Sequence, residues 1–190
     1  QGVRDSEVKR FDINLVLERL LEKGKIIVKR AYADWDRYSE FKVAFHEAAI
    51  ELIDIPQRRY SGKNSADIKM VVDAMDLCYS KEHINHFVLA SGDSDFAPLV
   101  SKLKENNKEV IGCGIKAASS HLLIENCDEF IYYEDIERMG SVSAPEISQE
   151  IPKLKKDAFQ MIVDTILALQ RENRETLYSS MIKDTLKRKK

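Results

Sequence analysis

The chain has 190 residues, 44% of them hydrophobic and 33% charged, with a formal net charge of −2. That length fits one ordinary domain with a small appendage, and the apolar content excludes disorder of the whole chain. The near-neutral balance excludes an overall basic field, so a nucleic-acid partner must meet a local basic patch.

In chain order, residues 11–24 carry Ile13, Val16, Leu17, Leu20 and Leu21 at helical spacing, with Gly24 as a stop. Residues 25–33 are rich in β-branched side chains and predict a strand. Residues 39–52 predict a helix and 53–56 a short strand ended by Pro56, followed by a polar loop over 57–64. Residues 65–79 form the clearest helix, with Ile68, Val71, Val72, Met75 and Tyr79 as its apolar stripe. Residues 86–90 read as a strand buried on both faces. A helix over 96–106, a strand within 108–114, a helix near 119–126 and a strand over 129–133 complete the alternation.

Strands alternating with helices from Lys25 to Tyr133 predict an α/β domain with a mostly parallel sheet and helices on both faces. Sites in such folds gather beyond the C-terminal ends of the strands. Residues 140–156 read as a Ser- and Pro-bearing linker, and 158–171 and 177–186 as two further helices, too few to bury a core alone. Cys78, Cys113 and Cys127 are odd in number and lack metal-ligand spacing, so they read as small buried side chains. No signal peptide, lipidation motif or bilayer-length apolar run occurs, which makes the cytoplasm the expected compartment and a membrane role unexpected.

The sharpest chemical signal is the run from Ala90 to Phe96, where an apolar strand ends in Ser91, Gly92, Asp93, Ser94 and Asp95. Carboxylates at i and i+2 on extended backbone point the same way and together suit a hard cation. Asp95 equally suits a helix cap before Pro98, a reading that leaves Asp93 unexplained. Asp67 opens the clear helix, either as a ligand at the edge of the stripe or as a partner of the helix dipole. Asp73 and Asp76 share a face with Lys69, which reads as a solvated surface with an i,i+4 pair.

The loop from Arg58 through Arg59, Tyr60, Ser61, Gly62 and Lys63 to Asn64 suits phosphate contact and base stacking, or is an ordinary polar loop. Arg30, Tyr32, Asp34 and Trp35 end a strand at the same predicted edge, the two aromatics reading better as core than as stacking residues. His46, His83, His86 and His121 have no ligand spacing and read as structural. No Ser-His-Asp set, Cys-His pair or phosphate-cradling glycine loop is present, so carboxylates with a metal are the available chemistry.

The stretch from Ser61 to Asp76, followed by Phe87 to Val100, resembles the core of NYN (LabA-like) domains of the PIN-like nuclease superfamily. Lys108 to Gly112, Ser119-Ser120 and Cys127 to Tyr132 continue the resemblance in order. It implies a three-layer PIN-like fold over residues 1–139 and a site binding Mg²⁺ or Mn²⁺ for hydrolysis of RNA, with DNA compatible with the same chemistry. It assigns Asp67, Asp93 and Asp95 as ligands and catalytic carboxylates, with Asp73 a weaker candidate. RNA contacts fall on Arg58, Arg59, Lys63, Asn64 and Ser91, and a homodimer is compatible with the reading.

The tail, residues 157–190, is similar to the opening of an OST-HTH (LOTUS) module through Ala158 to Gln160 and Asn173 to Lys183, which implies a link to RNA. NYN domains usually open with an apolar strand ending in Asp. This chain opens with Gln1 to Arg10, without such a strand, so the expectation is that the protein continues upstream. The incomplete acidic set and the LOTUS-like tail keep a non-catalytic RNA-binding or regulatory module as the competing reading. A transferase using the Asp-x-Asp lacks a nucleotide-binding loop.

Overall fold

The computed structural model describes residues 11–56, 64–140, 153–171 and 179–189. The chain packs as two compact units, one of Gln1–Ile13 with Ile27–Asp135 and one of Asn14–Ile26 with Ile136–Lys190. In order, the elements are α1 (Ile13–Lys23), β1 (Arg30–Ala33), α2 (Lys42–Glu47), β2 (Glu51–Asp54), α3 (Ser65–Ser80), β3 (His86–Ala90) and α4 (Ala97–Glu105). They continue as β4 (Glu109–Gly114), α5 (His121–Asn126), β5 (Glu129–Tyr132), α6 (Tyr133–Gly140), α7 (Lys153–Arg171) and α8 (Ser179–Lys189).

Every strand pairing in the first unit is parallel. β1 pairs with β2, and β3, β4 and β5 form a second sheet in that order. Parallel neighbours need helical crossovers, and α2, α3, α4 and α5 fill the intervals. The expected α/β architecture of parallel sheets flanked by helices is therefore what the chain adopts. Its core joins Ala74 and Cys78 of α3, Phe87 and Leu89 of β3, Leu99, Val100 and Leu103 of α4, Val110 of β4 and Leu123 of α5.

Four sequence expectations need correction. The strand expected from Lys25 starts at Arg30, because the ladder begins where Glu51 N donates to Lys29 O. Upstream of it Ile27 and Val28 are exposed, and β-branched residues without a partner strand do not make one. The helix expected over 39–52 is a 3₁₀ turn at Ser39–Phe41 followed by the short α2, and β2 starts at Glu51 rather than at 53. α2 stops because Ala49 turns left-handed at φ 53°, which lets Ile50 N bond to Phe45 O.

The stripe on α3 is the third correction. Ile68, Val72 and Tyr79 point outward, whereas Ala74 and Cys78 are buried, with Met70, Val71, Met75 and Leu77 packed against the same core. The helix carries apolar residues on two sides, and the small pair is the one that allows close approach to the sheet. The fourth concerns β3. Phe87 and Leu89 are buried while Val88 is 39% exposed, so only the side towards α3 and α4 is covered among the described residues. β4 instead is buried from Val110 to Cys113, as the middle strand of its sheet.

α6 was not expected from the sequence. It starts at Tyr133 directly on the end of β5, with Glu134 and Asp135 in the first turn and Arg138 in the last, the charge order that a helix dipole favours. In the second unit α7 pairs with α8. Arg188 Nε donates to Leu21 O at 3.0 Å and Lys189 Nζ meets Glu22 at 3.1 Å, so the basic end of α8 caps the C-terminal carbonyls and acid of α1. α7 already starts inside the interval read as a linker. Among the described residues no helix is long and apolar enough to cross a membrane.

A left-handed alanine is strained by its Cβ, and glycine is not. Ala49→Gly is therefore expected to stabilise the first unit by about 1 kcal/mol, read as a higher urea midpoint at unchanged slope. An unchanged or lower midpoint would show that Ala49 bears no strain.

Candidate functional site

The loop between β3 and α4 carries the two carboxylates of the Asp-x-Asp run. Asp93 is extended, at φ −80° and ψ 130°, and its side chain accepts a hydrogen bond from Asp95 N at 3.0 Å. Asp93, not Asp95, is thus the capping residue of the 3₁₀ turn Ser94–Phe96 that leads into α4, where Pro98 sits in the first turn as expected. Ser91 Oγ accepts from Asp93 N at 3.2 Å, which turns that hydroxyl into the loop. Both carboxylates are exposed.

Gly92 fixes where this loop sits. Its carbonyl accepts from Ser120 N at 2.8 Å, and a Cβ at this position would lie 2.1 Å from Ala118 O and 3.0 Å from Ser119 Cα. The loop after β3 and the segment before α5 are therefore in backbone-to-backbone contact. The spacing of the motif does not reveal this buttress.

Asp67 comes to the same place from the first turn of α3. Its carboxyl is held above the ordinary range by partial burial, and then by the charges of Asp93 and Asp95. Asp67 of α3 thus lies near enough to the loop after β3 for the charges of Asp93 and Asp95 to act on it. Among the described residues none of the three has an ion-pair partner. Asp67 also shares a concavity of about 200 Å³ with Asp95, Asn64 and the apolar Ile68, Val71, Val72 and Phe96. Asp95 also borders a wider concavity of about 480 Å³.

Asp73 does not join them. It is 13% exposed and takes Lys69 Nζ at 2.6 Å, the Tyr32 hydroxyl at 3.0 Å and Arg30 Nη1 at 3.8 Å. Burial pushes its carboxyl up, but the hydrogen bonds from Lys69 and Tyr32 and the charges of Lys69 and Arg30 outweigh this and hold it below the ordinary range. Burial and Asp73 together push the Tyr32 phenol up to about 12. This network ties β1 to α3, so the Lys69 pair expected on a solvated face stands at a half-closed junction. Trp35 is core, at 5% exposed, with Nε1 donating to Ile53 O at 3.1 Å.

Of the expected RNA-contact residues, Arg58, Arg59 and Lys63 lie outside the described residues. Asn64 precedes α3 and its side chain makes no capping bond. His46, His83, His86 and His121 are exposed, the last two beside Glu109 and Glu125. Burial pushes the Cys113 thiol up to about 11, which leaves it unreactive.

Asp67 makes a testable stability statement. Its folded pKa is raised, so the protonated form is favoured by the fold; that contribution is complete below the unfolded value of about 3.9 and is lost as pH rises through the folded value. In divalent-free buffer at neutral pH, Asp67→Asn is expected to raise the melting temperature, with the gain vanishing below about pH 4. Millimolar Mn²⁺ should then raise the melting temperature of the unmodified protein more than that of the variant. A variant that melts lower at neutral pH, or responds equally to Mn²⁺, would show that the three carboxylates do not share a field.

The NYN domain model matches residues 3–137, well over half of the chain. An uncharacterized protein of Methanocaldococcus jannaschii is 31% identical over 128 residues, which cover 65% of this chain and 48% of that protein. The chain thus spans about half the length of this relative. The crystal structure of a protein of unknown function from Vibrio parahaemolyticus matches with a TM-score of 0.61 at 23% identity, covering 70% of this chain and 85% of that one, a likeness of fold. With parallel sheets flanked by helices and an acidic rim after β3, the chain belongs to the NYN domain family, a branch of the nuclease-like PIN superfamily.

Proposed function

We propose that this chain is a metal-dependent ribonuclease that hydrolyses RNA phosphodiester bonds internally at the rim formed by Asp67, Asp93 and Asp95. The observation that supports the proposal is the concavity shared by Asp67 of α3 and Asp95 of the loop after β3, with Asp93 two residues from Asp95 and no neutralising side chain on the three among the described residues. Hard oxygens of like charge suit a hard divalent cation, Mg²⁺ or Mn²⁺. Among the described residues no three acidic, histidine or cysteine side chains stand close enough to enclose an ion by themselves. An ion held here by one or two of these carboxylates would keep part of its water shell, as Mg²⁺ commonly does.

When bound, such an ion supplies an activated water and neutralises charge on the phosphate oxygens. The chain contributes the rest. Asp93 holds the turn through its bond to Asp95 N and so sets the spacing of the two loop carboxylates. Asp67 approaches from the helix, and as pH falls through its raised pKa it takes up a proton and the rim loses a ligand. Arg58, Arg59 and Lys63 are proposed to take the RNA backbone, with Asn64 and Ser91 nearer the rim.

The division into residues 1–139, 140–156 and 157–190 belongs to the same proposal, with the C-terminal helices as the opening of an OST-HTH module that adds RNA contacts. The paired helices α7 and α8 support it.

The absence of an enclosing three-ligand set among the described residues favours one other reading, RNA binding without turnover. The test is incubation of the purified chain with mixed RNA and DNA oligonucleotides, with Mn²⁺ and with EDTA. Mn²⁺-dependent cleavage of RNA is expected. RNA binding with no product in Mn²⁺ would leave the binding module, and EDTA-resistant cleavage would point to a contaminant.

A further inference from the structure

We infer that the concavity beside Asp67 and Asp95 is a subsite for one unpaired nucleobase, next to the phosphate that the carboxylate rim receives; this deepens the nuclease reading and rests on it. Ile68 and Val72 lie one turn apart on α3 and are 63% and 56% exposed. They face away from the core, which α3 meets through Ala74 and Cys78. These two exposed aliphatic side chains border one concavity with Asp67, which precedes Ile68 directly in the first turn of α3. Val71 and the edge of the buried Phe96 complete an apolar wall.

A nucleobase has two apolar faces and a polar edge, and this concavity offers the same division. Its wall is aliphatic and aromatic, while its polar groups are confined to Asn64, Asp67 and Asp95. The Asn64 amide, unused as a helix cap, keeps both a donor and an acceptor for a base edge. At about 200 Å³ the concavity has room for one base. A base that enters must leave its duplex partner, so the subsite selects single strands.

Asp95 also borders the wider concavity lined by Ser94, Ser101, Leu122 and Asn126 among others. A second open concavity at Asp95 leaves room for a strand to continue past the rim, as internal cleavage requires. The sugar-phosphate backbone thus crosses at the acids while one base turns onto Ile68 and Val72.

The experiment compares binding of an oligouridylate with that of the same ribose-phosphate backbone without bases, in Ca²⁺ and again in Mn²⁺ with product analysis. The full chain is set beside Ile68→Ser and Val72→Ser, whose folding is checked by thermal melting. The unmodified chain is expected to bind the base-bearing strand about 5- to 10-fold more tightly. Each variant should lose most of that preference while binding the abasic strand as before. Equal binding of both strands by the unmodified chain, or an unaltered preference in both variants, overturns the subsite even if RNA is cut. A preference that the variants abolish, with no product in Mn²⁺, upholds the subsite and removes the hydrolytic reading instead.

Discussion

Asp93→Asn is expected to lower Mn²⁺-dependent RNA cleavage by about 100-fold or more while leaving the protein as stable as before, within roughly 0.5 kcal/mol. The two effects separate because Asp93 has two jobs. Its Oδ1 accepts from Asp95 N and holds the turn before α4, and an asparagine oxygen does the same. Its charge joins the field around Asp67, and an amide cannot replace that. Asp93→Ala loses both, so it should cost activity and about 1 kcal/mol of stability. Cleavage and melting measured on all three proteins decide the matter. Activity in Asp93→Asn near that of the unmodified protein would remove Asp93 from the site, whatever the alanine variant does.

The second large effect concerns Gly92, which bears no chemistry. Gly92→Ala is expected to destabilise the first unit by about 2 to 3 kcal/mol and to reduce cleavage by about 100-fold, although every carboxylate is still present. The new methyl group would meet Ala118 O at 2.1 Å and Ala118 C at 2.8 Å. Both are backbone atoms, held where Ser120 N bonds to Gly92 O, so neither yields as the tip of a flexible side chain would. The strain relaxes only by moving the loop, and Asp93 and Asp95 move with it. Gly112 makes a useful contrast. Its Cβ would collide with the Phe130 ring at 2.3 Å, a side chain rather than the backbone that holds the acidic loop, so Gly112→Ala should cost stability without the matching loss per folded molecule. Urea denaturation and specific activity of the folded fraction distinguish the two. A Gly92→Ala protein of unchanged stability would mean that the loops do not touch as described.

Alternating periodicity made the α/β class and the parallel pairing legible from the sequence, because each apolar run is too short to be anything but a strand and each interval is long enough for a helix. The Asp-x-Asp at the end of β3 and the acid in the first turn of α3 were legible for the same reason: the signal is local, and the strand end and helix start can be counted off. The family string from Ser61 to Val100 added the expectation that these acids act together.

Tertiary structure decided what depends on partners distant in sequence. Which stripe of α3 faces inward was settled by Ala74 and Cys78 fitting closely against the core, leaving Ile68 and Val72 outside beside the acids. β1 shrank to four residues because a strand exists only as far as β2 pairs with it. Asp73 is held by Tyr32 and Arg30, far back on β1, whereas Asp67 lies within the influence of Asp93 and Asp95 in the loop after β3. Local backbone preference and apolar spacing are properties of neighbours along the chain. Fields, contacts and covered faces belong to neighbours in space, and only the folded chain determines which residues those are.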